Sequence, residues 1–177
     1  MNRIIILMCI LFLSQSCTLT RIQKSGIEKQ KIQVNIDAWH KAAAEAKFDA
    51  YFNLMAEDAV FIGTDATENW NREQFMKFCK PYFDKGKAWN FTALERNIYM
   101  NHQNNQAWFD ELLNTQMKIC RGSGVMRKEH GQWKIVHYVL SMTIPNDHTK
   151  EVVGIKSNIE NKMIDSLKLQ PFNLLSR

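Results

Sequence analysis

The sequence predicts an α+β domain. Three helical patterns come first, a long antiparallel meander follows, and the last strand of that meander is apolar on both of its faces. The chain has 177 residues, 45% of them hydrophobic and 23% charged, which suits one globular domain able to bury its own core. With 7 Gly and 3 Pro, collagen-like and low-complexity readings are excluded, and no repeat of solenoid period is present.

The helices are read from spacing. Ile32, Ile36, Trp39, Ala43 and Ala46 step by alternating fours and threes, which predicts a long amphipathic helix over about 27–46. Phe48, Tyr51, Phe52 and Met55 give a second, shorter helical face. The run 59–63 (AVFIG) is short and apolar, as a strand requires, and 64–69 is polar turn material. Asn71 can cap a third helix, with Glu73 and Gln74 in its first turn. Phe75, Phe78, Cys79 and Tyr82 share one face of that helix, and Gly86 is suited to end it.

After Gly86 the pattern changes to strands. Residues 89–101 are rich in β-formers, 102–105 read as a hairpin loop, and 106–115 run back. The next strand, over 116–128, contains Gly122 and Gly124, which signal a bulge or a close approach. A tight turn at 129–131 leads into the last strand, 132–144. Strict alternation there sets Trp133, Ile135, His137, Val139 and Ser141 on one side and Val136, Tyr138, Leu140 and Met142 on the other. The helices can cover one face. A second copy of the same sheet is the simplest cover for the other, so a homodimer through Tyr138, Leu140 and Met142 is expected.

The N-terminus reads as an export signal over 1–16. Arg3 precedes an apolar run from Ile4 to Leu13, too short to span a bilayer as a helix. Ser14-Gln15-Ser16 follows and Cys17 ends the segment. This order resembles a bacterial lipoprotein signal, in which Cys17 is acylated, although Ser14 stands where a Leu is usual. An ordinary cleaved signal with an incidental cysteine is the alternative. Residues 17–26 are then a polar, lipidated tether, 27–147 the domain and 148–177 a tail, and the location is the bacterial cell envelope. In the tail Ile155, Ile159, Met163 and Leu167 recur every fourth residue and make one apolar helical stripe, able to pack on the domain or on a partner.

The chain carries 23 Lys and Arg against 18 Asp and Glu; removing Arg3 with the signal leaves 22 − 18 = +4. The cations are spread without a block, so no nucleic-acid partner is expected. Cys79 falls in a helical pattern and Cys120 in a strand, which reads as two buried free thiols, and the spacing supports neither a metal site nor a cofactor fingerprint.

Several strings carry a family resemblance: FIGTDATENW (61–70), NQAWFDELL (105–113), RGSGVMRKEHGQWKIVHYVLS (121–141) and TIPND (143–147). On these the chain resembles the SnoaL-like branch of the nuclear transport factor 2-like superfamily over about 30–147. The resemblance implies a cone, in which a curved antiparallel sheet wraps on helices around a pocket, and frequent dimerisation through the sheet. That superfamily holds isomerases, cyclases, dehydratases and non-catalytic binding modules, so the fold leaves the function open.

Candidate chemistry lies on the meander. Asp110, if it points into the cone beside aromatics, is a desolvated carboxyl suited to acid–base work; if Phe109 points in, Asp110 faces water. His137 is either a proton carrier or a core histidine. Arg121 could hold a carboxylate by paired hydrogen bonds, or lie on the surface. Tyr51, Trp70, Trp89 and Trp108 are candidates for the pocket wall or for plain core packing. The expected function is binding of a small hydrophobic or carboxylate-bearing ligand. The alternatives are a cofactor-free isomerase, cyclase or dehydratase using Asp110 and His137, and a non-catalytic interaction protein using the tail stripe.

Overall fold

The protein is described by a computed structural model that covers residues 2–169, with side chains from Gln23 onward. Residues up to Met142 form one compact unit, and Thr143 begins a second. In the first unit the order is α1 (Asn2–Ala44), α2 (Phe48–Asn53), β1 (Met55–Ile62), β2 (Asn69–Asn71), α3 (Arg72–Asp84), β3 (Thr92–Met100), β4 (Gln106–Thr115), β5 (Lys118–Glu129) and β6 (Gln132–Met142). The helix expected over 27–46 is the end of the longer α1, which also runs through the stretch expected as a tether. The Cys17 side chain and residues 170–177 lie outside the described part. Among the described residues no helix is long and apolar enough to cross a membrane.

One six-stranded sheet, in the order β2-β1-β6-β5-β4-β3, curves over the helices. The meander β3–β6 is antiparallel, as its hairpin loops require. The pairing of β1 with β6 is parallel, so the sheet is mixed rather than wholly antiparallel. Connectivity allows the difference: β1 and β6 are separated by β2, α3 and the other strands of the meander, so no hairpin turn forces them to pair antiparallel. The short strand β2, which begins at the last residue of the stretch expected as a turn, pairs its three residues with Val60, Phe61 and Ile62.

The third helix begins as expected. The Asn71 side chain accepts from Gln74 N at 2.9 Å, and Gln74 Oε1 accepts from Asn71 N at 3.0 Å, a reciprocal cap. Phe75, Cys79 and Phe83 are its buried residues, whereas Phe78 and Tyr82 are exposed. Gly86 follows at φ +69°, where an L side chain is strained.

The last strand departs from strict alternation. Val125 pairs with His137 and Met126 with Ile135, so Val136 is an extra residue in the ladder. Trp133 and Ile135 point into the core, and beyond the bulge so do Tyr138 and Leu140. This corrects the expected dimer face: Tyr138 and Leu140 are interior, and of the three residues only Met142 is exposed. Gly122 and Gly124 answer to close approach. A methyl group at Gly122 would collide with the Tyr138 hydroxyl, and one at Gly124 would lie 2.7 Å from the Phe109 ring.

The first helix is fastened to the sheet by charge as well as by apolar packing. Glu28, almost fully buried, accepts from Lys128 Nζ at 2.8 Å, Trp133 Nε1 at 2.8 Å and Lys31 Nζ at 2.9 Å. Burial opposes its charge, but those three donors outweigh it and hold its pKa at about 2. Cys79 and Cys120 are buried free thiols, as expected.

In the second unit a short 3₁₀ turn precedes α4 (Thr149–Lys168). Of its stripe, Ile155 is 80% and Ile159 76% exposed, while Met163 is half-buried.

Candidate functional site

Inside the curved sheet a polar cluster lies within the apolar core. Glu111 on β4 has no exposed surface, and His40 on α1 is 5% exposed. Glu111 Oε1 receives hydrogen bonds from the Tyr138 hydroxyl at 2.9 Å and from His40 Nε2 at 2.8 Å. Arg96 Nε donates to Oε2 at 2.8 Å; its Nη2 lies 2.7 Å from the same oxygen but is poorly aimed for a second bond. Arg96 Nη1 also donates to Asp37 on α1, at 2.7 Å.

Burial pushes the Glu111 carboxyl up, yet His40 and Arg96 outweigh it and keep its pKa below the ordinary value. Glu111 is therefore an ionised acceptor, so the His40 proton sits on Nε2. That leaves His40 Nδ1 buried with no hydrogen-bond partner. Burial, and then the Glu111 charge, drive the Tyr138 hydroxyl well above its usual range, so it serves as a donor.

Next to this cluster a cavity of about 190 Å³ opens to the surface. Phe61 from β1, Trp70 from β2, Phe75 and Phe78 from α3, and Trp89 and Phe91 ahead of β3 form its walls. Phe61 stacks on Phe75 with centroids 3.9 Å apart, and Trp70 stacks on Phe78 at 4.5 Å. Leu140, Met117 and Gln116 complete the far side. The rim is the β1–β2 loop, with Gly63, Thr64 and Glu68. Two layers are in contact here: Phe91 meets the His40 ring edge-on at 6.0 Å, and Phe61 stacks on Tyr138 at 5.6 Å.

The order of elements, the curved sheet and its open cavity can be compared with known proteins. The family model of the SnoaL-like domain matches residues 32–145. The chain belongs to the SnoaL-like domain family. Solved structures share the fold at low identity. An NTF2-like protein of unknown function from Pseudomonas putida is 13% identical, with a TM-score of 0.57 over 67% of this chain and 88% of the other. A dehydratase assignment in the NTF2-like family, from Streptomyces avermitilis, is 11% identical, with a TM-score of 0.57 over 66% and 96%. The association domain of C. elegans CaMKII is 20% identical, with a TM-score of 0.56 over 67% and 98%. Comparison with curated proteins gives no match.

In this SnoaL-like domain the expected site residues separate into three places. Trp70 and Trp89 line the cavity. Tyr51 is fully buried in the core, stacked on Trp39 at 4.8 Å, and burial pushes its hydroxyl far up. Asp110, His137, Trp108 and Arg121 lie on the outer face of the sheet. The structure does not bring Asp110 and His137 together inside the cone. On β4 it is Ala107, Phe109, Glu111 and Leu113 that point inward, which turns Asp110 out; on β6 the Val136 bulge turns His137 out. Asp110 accepts from Asn97 Nδ2 at 3.2 Å and lies 3.9 Å from Arg121. Trp108, 49% exposed, stacks on Tyr99.

Glu111 and His40 were the residues the expectations passed over. Signals for both exist: Glu111 shares parity with Phe109 and Leu113, and His40 lies four residues from Ile36 on the apolar stripe of α1.

Proposed function

We propose that this SnoaL-like domain is a small-molecule binding module. One observation carries the reading: an aromatic cavity, open at one end, with only a few polar groups at its rim. Its volume of about 190 Å³ is below the roughly 300–1,000 Å³ of pockets for drug-sized ligands. The ligand is accordingly the size of one substituted ring or one headgroup. The test is calorimetric titration of the purified full chain with one-ring probes, neutral, cationic and anionic. Binding of at least one class, lost in Thr64→Trp, which fills the rim, is expected. No binding by any class would overturn the proposal.

We also propose an exported, lipid-anchored protein of the bacterial envelope, a reading supported by the segment ending at Cys17. Metabolic fatty-acid labelling should mark the wild type and not Cys17→Ser; equal labelling of both, or of neither, would remove the anchor.

A second reading, a cofactor-free acid–base enzyme, is favoured by a single atom. His40 Nδ1 is unpartnered, its tautomer is fixed by Glu111, and its ring touches the cavity wall at Phe91. In that reading His40 replaces Asp110 and His137 as the proton carrier. Turnover of any hydroxy ketone probe should then be lost in His40→Asn while probe binding persists.

A further inference from the structure

We infer that the cavity selects an organic cation: a substituted ammonium group seated among Phe61, Trp70, Phe78 and Trp89 and faced by the Glu68 carboxylate. This rests on the binding-module reading and names its ligand class.

Charge at the wall is the first argument. The chain is basic, with net charge +5, yet among the described residues no Lys, Arg or His lines the cavity. Glu68 is the one charged wall residue among them. A carboxylate-bearing ligand would meet repulsion there and no partner, and Arg121, the residue expected to hold it, lies on the outer face.

The rings supply the second argument. An aromatic face attracts a cation, most strongly where water is excluded. Elsewhere in the molecule the protein's own cations take up this capacity: Arg72 sits over Phe52, Lys80 over Phe48 and Lys128 over Trp133. Among the described residues the rings of the cavity wall are in none of those contacts, so their attraction is left for a ligand.

Third, Glu68 is held in place. Its Oε2 accepts from Asp65 N at 3.2 Å, and its carbonyl accepts from Gly63 N at 2.9 Å, closing the loop. The side chain lies over Gly63, where a methyl group would collide with Oε2 and press on its Cβ at 3.0 Å. Thr67 donates twice to Asp65 Oδ1, at 2.8 and 2.6 Å, which stiffens the same turn. The carboxylate is thus set at the rim before any ligand arrives.

The test compares benzyltrimethylammonium with its neutral isostere neopentylbenzene and with benzoate, by calorimetry on the full chain. The cation should bind about tenfold more tightly than the isostere, and benzoate should not bind. Glu68→Gln, which keeps the acceptor for Asp65 N, should cost the cation about tenfold and leave the isostere unchanged. Trp70→Leu should weaken the cation without reversing the effect of Glu68→Gln. Competition by phosphatidylcholine vesicles for the bound probe would assign a lipid headgroup as the source of the ammonium; its absence would assign a soluble compound. Equal affinity for cation and isostere, or no effect of Glu68→Gln on the cation, would overturn the inference while the binding-module reading stands. Failure of all three probes would overturn both.

Discussion

The Tyr138 hydroxyl occupies the space that a side chain at Gly122 would need. The two residues sit near each other on neighbouring strands, and Tyr138 reaches across Gly122 to donate to Glu111 at 2.9 Å. Gly122→Ala should therefore displace the tyrosine and loosen the cluster, costing about 1–3 kcal/mol as overpacking of a filled core. Urea denaturation of the two proteins measures it. A neutral result would mean that the ring moves aside freely.

Glu111→Gln should be worse. It removes the charge that Arg96 and His40 face and leaves a buried guanidinium without its main partner. A loss of about 3–5 kcal/mol is expected for breaking such a pair from one side. Tyr138→Phe, which leaves the ions paired, should cost about 1.5–3 kcal/mol, the range for a hydrogen bond to a charged group.

Acid should loosen the attachment of α1. Glu28 has a folded pKa of about 2, below its ordinary 4.5, so its charge stabilises the fold above about pH 4.5. That contribution is lost as pH falls from 4.5 toward 2, and Glu111, also shifted downward, adds to the loss in the same direction. Thermal melts of wild type and Glu28→Gln should differ at neutral pH and converge near pH 2. Parallel curves over the whole range would exclude Glu28 as a source.

Asp110→Asn and His137→Gln should leave probe binding in the cavity unchanged and stability within about 0.5 kcal/mol, as befits side chains on the outer face. A tenfold loss of probe affinity in either variant would return them to the site.

If two copies associate through their sheets, the outer face is the surface available, with Tyr99, Trp108 and Ile119 exposed on it. Trp108→Lys should then shift the full chain toward monomer in sedimentation, whereas Tyr138→Phe should not.

The fold was legible because spacing records which face is buried. The α3 cap was readable from Asn71 and Gln74, and the meander from its loops. The site was harder to read for two physical reasons. On β4 both parities carry large apolar residues, Trp108 and Leu112 against Phe109 and Leu113, so alternation alone left the phase of Asp110 and Glu111 open. On β6 a bulge at Val136 exchanges the two faces halfway along, and a period of two cannot register an inserted residue. Trp70 and Trp89 could be named as wall candidates from aromatic content; that Glu68 lines the same cavity depends on the β1–β2 loop folding back over Gly63.

The two fastenings of α1 also have a mechanical meaning. Glu28 is tied to Lys128 and Trp133, and further along, about 14 and about 18 Å down the axis, Asp37 and His40 are tied to Arg96 and Glu111. A pull on the N-terminal end of the helix loads the Glu28 bonds before it reaches the second set. The cavity lies beside the second set, so the Glu28 bonds stand between it and a pull on that end of the helix.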